Sequence, residues 1–428
     1  MKKFLIITML GVLSISQLSA EGGVEFSGKV ETLWGAAAPW TKSDTSAGRF
    51  TLGNTSFTGE IEAFYGNSSA YAEAALSYDA VLPNSGNLGN GFDFSAGEMW
   101  LDYTEAFWGI RIGRQKAAWG KADGIDITNI LCPSDMSSLA AMTGDDSKLA
   151  IDALRFSVNG NMFSLDAYWI PFFTPSTLPL DQGNSLRKYI VPSTILNLPV
   201  SIGNLEKPEL AIWNGEYALR FSTYFSALDF SLYGFYGWDD LPVLNYSVIM
   251  DSTQTPTGMN VSGKYERMSM IGEDAALPLG ETVLRLEAAF FPQRHMQKSQ
   301  GSSLQRNELS ALAGIDWMPS GWTITAQYYC DYVFGDLDGL KRSTAYTHGA
   351  SLSISKSFIN DTLELSFAGI IGLNDYDSMI SPSVTYSLSD QISLGLKAFI
   401  FLAGPEKDGQ YGAYKDLSSI CLNASFCF

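Results

Sequence analysis

Two histidines, His295 and His348, and four cysteines, Cys132, Cys330, Cys421 and Cys427, are the side chains of this 428-residue chain best suited to covalent chemistry. A hydrolase built on Ser-His or Asp-His needs the imidazole within reach of a nucleophile or acid. No local motif supplies such a partner, and both histidines read as ordinary residues of external connections. The cysteines lack close-paired metal spacing, and Cys421 and Cys427 lie six apart on one extended segment. At strand rise that is roughly 20 Å, too far for a disulfide. Acidic clusters at Asp145-Asp146, Asp239-Asp240 and 336–339 have the oxygen ligands a divalent cation takes, but not the spacing of a dedicated calcium loop. Solvated loop charge is the better reading. The expectation is a protein that is not an enzyme, with no metal and no cofactor.

The remaining chemistry is in charged residues spaced two apart. Over 24–34, Val24, Phe26, Val30 and Trp34 alternate with Glu25, Lys29 and Glu31. Such alternation marks a strand with one dry and one wet face. The pattern recurs near 56–65, 69–78, 95–103, 108–116, 151–158, 162–170, 215–224, 228–237 and 264–275. It continues near 281–291, 304–318, 322–333, 346–358, 362–372, 379–388, 391–401 and 417–428. The spacing predicts about eighteen strands, with sixteen as the alternative.

The connections decide how those strands assemble. Tight turns at 66–68, 104–107, 160–161, 226–227, 277–280, 319–321, 360–361 and 389–390 alternate with longer segments such as 35–55, 79–94, 117–150, 171–214, 238–263 and 335–345. Short connections at one end and long ones at the other are the signature of an outer-membrane barrel. Residues 1–20 read as a secretory signal, with Lys2 and Lys3, an apolar stretch 4–13 and small residues before a cut after Ala20. Beyond Ala20 no apolar run approaches the ~18 residues of a membrane helix. Aromatics reach 13% and charge only 17%, low for a soluble secreted domain and suited to a wall facing lipid. The expectation is one all-β domain over 21–428, a transmembrane antiparallel up-and-down β-barrel in contact with outer-membrane lipid.

With the polar face turned inward, the wall carries Glu25, Glu31, Glu60, Glu62, Glu73, Glu98, Asp102, Asp166, Glu216, Asp229, Glu287, Glu308, Asp316, Asp331 and Glu364. The inward bases are fewer: Lys29, Arg111, Arg155, Arg220, Arg285 and Lys397. The register of 264–275 is ambiguous and enters neither set. Carboxylate-rich walls attract cations, and a net charge of −18 argues against nucleic acid as a partner. Arg111, Arg155 and Arg220 suggest a basic strip facing carboxylates across a constriction; pairing with adjacent carboxylates explains them equally well.

The loop 117–150 is long enough to fold inward, and Trp119, Asp123, Asp126, Asp135, Asp145 and Asp146 are its constriction candidates. The connection 171–214 is apolar for a wet loop (Pro171, Phe172, Phe173, Ile190, Val191, Ile195, Leu196) and is expected to pack inside the mouth or form a partner surface.

Four stretches carry two resemblances. The last strand alternates Ile420, Leu422, Ala424, Phe426 and Phe428 with polar or small residues and stops on phenylalanine. It resembles the signature read by the barrel-assembly machinery, which implies that machinery as a partner. WGIRIGRQKAAWG at 108–120, YWIPFF at 168–173 and EYALRF at 216–221 together resemble a porin-like outer-membrane family of unassigned function, in which a Gly-Arg-Gln strand leads into a Trp-Gly loop. That resemblance covers about the middle third of the chain and implies a channel. The function expected is passive diffusion of small polar solutes with cation preference. The rivals are a surface adhesin or receptor barrel and a transporter of hydrophobic compounds. The oligomeric state stays open, a trimer included.

Overall fold

The computed structural model describes residues 22–38, 47–82, 85–139, 141, 147–181, 184–190, 199–299 and 301–428. The described residues form twenty-one strands in two sheets. The first seven are β1 (Gly22–Ala37), β2 (Phe50–Tyr65), β3 (Ser68–Asp79), β4 (Phe92–Thr104), β5 (Trp108–Gln115), β6 (Ile151–Asn159) and β7 (Phe163–Ile170). Next come β8 (Val200–Glu206), β9 (Glu216–Phe225), β10 (Leu228–Trp238), β11 (Val243–Met250), β12 (Pro256–Lys264), β13 (Arg267–Leu279) and β14 (Thr282–Gln297). The last are β15 (Ser303–Trp317), β16 (Trp322–Val333), β17 (Tyr346–Phe358), β18 (Leu363–Gly372), β19 (Asp377–Ser387), β20 (Ile392–Leu402) and β21 (Ser419–Cys427).

Eighteen of these form one antiparallel sheet in which each strand pairs with its sequence neighbour, β8, β11 and β12 being left out. The sheet closes because β21 pairs with β1, from Lys29↔Cys427 to Ala37↔Ser419. Closure leaves no unpaired edge, which hydrocarbon would not tolerate. All eighteen segments expected from alternation are barrel strands.

The two ends differ as expected. Turns such as 226–227 and 280–281 join strands at one end, and Ser320 and Gly321 make theirs with positive φ of 51° and 77°. That backbone matches the twist of a tight hairpin. At the other end the longer connections depart after β5, β7, β10 and β20. Sequence reading missed the small sheet β11-β12-β8, built from two of these long connections, with β12 parallel to β8. It is tied to the wall where Gln297 bonds the backbone of Leu244 in both directions, at 2.7 and 2.9 Å.

The burial pattern turns the apolar face outward. Ile112, Leu219, Ile271, Leu286, Tyr328 and Leu396 are all exposed on the outer wall. Inside, two apolar clusters form where long loops meet the inner face. One joins Trp119, Ile127, Leu131 and Cys132 to Tyr168, Tyr233, Met270, Phe291 and Leu312. The other joins Leu139 and Leu186 to Leu52, Phe399, Phe401 and Leu417. Each fully buried large side chain contributes about 2 kcal/mol, so the loops are held by hydrophobic packing as well as polar contacts.

A loop pinned across the barrel lumen

The connection after β5, followed over 116–139, enters the barrel and crosses to the wall formed by β10 and β13–β16. Glu287 on β14 holds it. That carboxylate is 3% exposed and accepts from the backbone N–H of Lys121 (2.8 Å), Ala122 (2.9 Å) and Thr128 (2.7 Å), and from the Thr128 hydroxyl (2.8 Å). Four donors converging on one buried charge satisfy it without a cation. Gly120 opens this turn with φ of 82°, and a Cβ there would lie 2.5 Å from Glu287 Oε1. Only glycine fits both the backbone and the space.

Three more contacts fix the crossing. Gln327 on β16 bonds the Asp123 backbone twice, accepting from its N–H at 2.9 Å and donating to its carbonyl at 2.7 Å. Arg285 donates to the Lys121 carbonyl at 2.6 Å and is paired with Asp316. Tyr233 accepts from the Gly120 N–H at 3.1 Å and donates to Asp274. Asp274, 1% exposed, belongs to the strand whose register was ambiguous in the sequence; its neighbour Glu273 points to the outer wall.

Among the loop candidates, Trp119 is not a pore-facing ring but is 4% exposed, packed 4.9 Å from Tyr233. Asp126 pairs with Lys148 at 2.6 Å. Asp135 caps the N–H of Ser137 at 2.9 Å. Asp145 and Asp146 lie outside the described residues. Within the loop, burial pushes the Cys132 thiol up, so it stays neutral.

The basic candidates are brought together in part. Arg111 and Arg155 are direct cross-strand partners on β5 and β6, and Arg220 on β9 stands opposite Asp166. Arg111 pairs with Asp102 at 2.9 Å and lies over Trp100; Arg155 pairs with Asp166 at 2.7 Å. Both are therefore neutralised locally. Arg220 instead bonds Ser222 (3.1 Å) and the loop carbonyl of Ala118 (3.5 Å).

The acidic candidates divide the same way. Glu308 is 7% exposed and enclosed by Arg294 (3.0 Å) and Arg342 (3.4 Å). Glu98 accepts from the Lys116 N–H at 2.7 Å, where the loop departs. Asp331 occupies the inner face of β16, next to Tyr329. Glu60 and Glu73 are cross-strand partners on β2 and β3, with Glu62 opposite Tyr71. A simple count of inward acids overstates free charge, because charge pairing between strands is invisible to alternation. Phe426 is half-exposed on the outer wall, and Phe428 closes the seam through backbone bonds of 3.0 Å with Gly28.

The family model described as protein of unknown function (DUF1302) matches residues 42–410. The chain belongs to the DUF1302 family. No curated protein matches it. Among solved structures, OccAB4 of Acinetobacter baumannii is similar at 8% identity and a TM-score of 0.54, over 96% of this chain and 99% of that one. OccK8 (OprE) of Pseudomonas aeruginosa is similar at 11% identity and a TM-score of 0.53, over 95% and 98%. OccAB1 of A. baumannii is similar at 10% identity and 0.53, over 97% and 99%. This DUF1302 chain therefore shares its overall fold with these solved structures.

Proposed function

We propose that this DUF1302 protein is an outer-membrane channel for small polar solutes, with preference for cations. The observation that carries the reading is the inward loop held on Glu287, opposite a wall strip where Glu60 and Glu73 adjoin. The loop narrows a bore that eighteen strands alone would leave wide. What remains runs past carboxylates on β1–β4, and such a lining favours cations. Arg111 and Arg155, being paired, orient solutes through hydrogen bonds more than through net charge; Arg220 supplies the positive side of a transverse field. Residues 1–20 act as a cleaved export signal, and the C-terminal strand ending at Phe428 is the segment offered to the assembly machinery.

Single-channel recording of the refolded protein in planar bilayers tests the reading. A reversal potential of cation-selective sign in a salt gradient is expected. A protein that neither conducts ions nor admits sugars in liposome swelling is not this channel. A surface-binding role draws support from the exposed hairpin residues Val248, Ile249 and Met250 on β11; a closed barrel in the swelling experiment would favour it.

A further inference from the structure

The segment 207–215, which leads into β9, presents Leu210 (80% exposed), Ile212 (69%) and Trp213 (72%) within four positions. Scattered apolar side chains on a surface are ordinary; three so exposed on one rigid turn are not. The turn lies against the outer face of the barrel. Trp238 Nε1 donates to the Asn214 carbonyl at 2.9 Å. Arg267, over the Tyr236 and Trp238 rings, donates to the Gly215 carbonyl at 3.1 Å and the Trp213 carbonyl at 3.2 Å. Gly215 sits so close to Trp169 that a Cβ would come within 2.9 Å of its indole nitrogen.

Two features identify what covers it. The patch is continuous with the apolar wall at Tyr217, Leu219 and Tyr236, exposed by 49%, 47% and 51%. The carbonyls of the turn are also capped, and the N–H groups of Asn214 and Gly215 turn back onto it. The Glu209 carbonyl accepts from Asn214 Nδ2 at 2.9 Å, Ala211 from the Asn214 N–H at 2.9 Å and Ile212 from the Gly215 N–H at 3.4 Å. With the three carbonyls capped by Trp238 and Arg267, six of the seven between Glu209 and Gly215 have protein donors. A water-covered loop has no need of this, whereas backbone near hydrocarbon does. Tryptophan beside arginine also suits the membrane–water boundary, where the ring lies among headgroups.

We infer that 207–215 is an interfacial anchor outside the barrel, with Leu210, Ile212 and Trp213 inserted into the outer-leaflet lipid around β9 and β10. The inference rests on the membrane-barrel reading. It assigns part of a long external connection to lipid instead of the mouth.

The test uses the full chain in phosphatidylethanolamine–phosphatidylglycerol vesicles containing a phospholipid with a diazirine high on its acyl chain. Photolysis and peptide mapping are expected to label 207–215 together with outward residues of β9. Labelled β9 with unlabelled 207–215 overturns the anchor and leaves the barrel intact. Labelling of neither overturns both readings. A dimer crosslinked through an unlabelled 207–215 overturns the anchor in favour of a second copy. In the Ile212→Ser, Trp213→Ser double variant, checked for folding by heat-modifiable mobility, labelling of the segment should fall several-fold while that of β9 holds. Unchanged labelling would remove these side chains from the lipid.

Discussion

The two sides of the lumen use charge in opposite ways. On the β13–β16 side, Glu287, Glu308 and Asp316 are 3%, 7% and 3% exposed, and each is consumed by a loop or by arginine. On the β1–β4 side, Glu25, Glu31 and Glu62 are exposed and Glu60 and Glu73 are half-buried. The first side is an adhesive surface for a loop. The second is a wetted lining. A carboxylate in a strand thus serves structure or conduction according to whether a loop reaches it, since a charge taken out of water has to be held by donors whereas a wetted one is solvated.

Removing the adhesive side should have the largest effect. Deletion of 120–145 is expected to raise single-channel conductance on the order of threefold, since the barrel alone leaves an aqueous bore. Unchanged conductance would mean the loop does not restrict flow. Glu287→Ala is next. It leaves four donors without their acceptor and should weaken loop docking on the order of 3 kcal/mol. The readouts are noisier currents and faster proteolysis within 116–139. Quiet, wild-type traces would show that apolar packing around Trp119 suffices.

The wetted side should respond in selectivity with little change in stability. Glu60→Gln with Glu73→Gln is expected to lower the cation-to-anion permeability ratio roughly twofold, measured as a reversal potential moving towards zero. No movement would place the selective element elsewhere. Arg155→Ala should produce the smallest change in current, because its charge is already matched by Asp166. Exposing Asp166 should shift selectivity slightly towards cations, at a stability cost of about 2 kcal/mol from the carboxylate left behind. If both conductance and selectivity stay unchanged, the Arg111–Arg155–Arg220 strip has no part in permeation.

The wall was legible because period-2 alternation is a local property. Trp322, Ile324, Ala326 and Tyr328 share the outer face of β16 in the sequence and in the barrel alike. Strand 264–275 was the exception. Met268 and Met270 face inward there and Glu273 outward, against the usual polarity, because the loop cluster makes part of the lumen dry. The same cause accounts for Trp119, which belongs to a core that exists only once the loop has crossed.

The long connection after β7 shows the other boundary of sequence reading. Its apolar character forecast burial, yet its parts diverge: Leu186 enters the second internal cluster, 200–206 joins the small sheet, and 210–213 lies outside the wall. Residues 191–198, with Val191, Ile195 and Leu196, fall outside the described residues. Composition announces that a segment leaves water and is silent about which apolar phase it enters.

By itself the sequence determined the eighteen strands of the barrel wall, the faces of nearly all of them and the two unlike ends, since each follows from spacing within a few residues. Tertiary structure alone decided which carboxylates stay wetted and where the loops rest. Those outcomes depend on contacts such as Thr128 with Glu287, 159 positions apart, and no local pattern encodes a meeting over that distance.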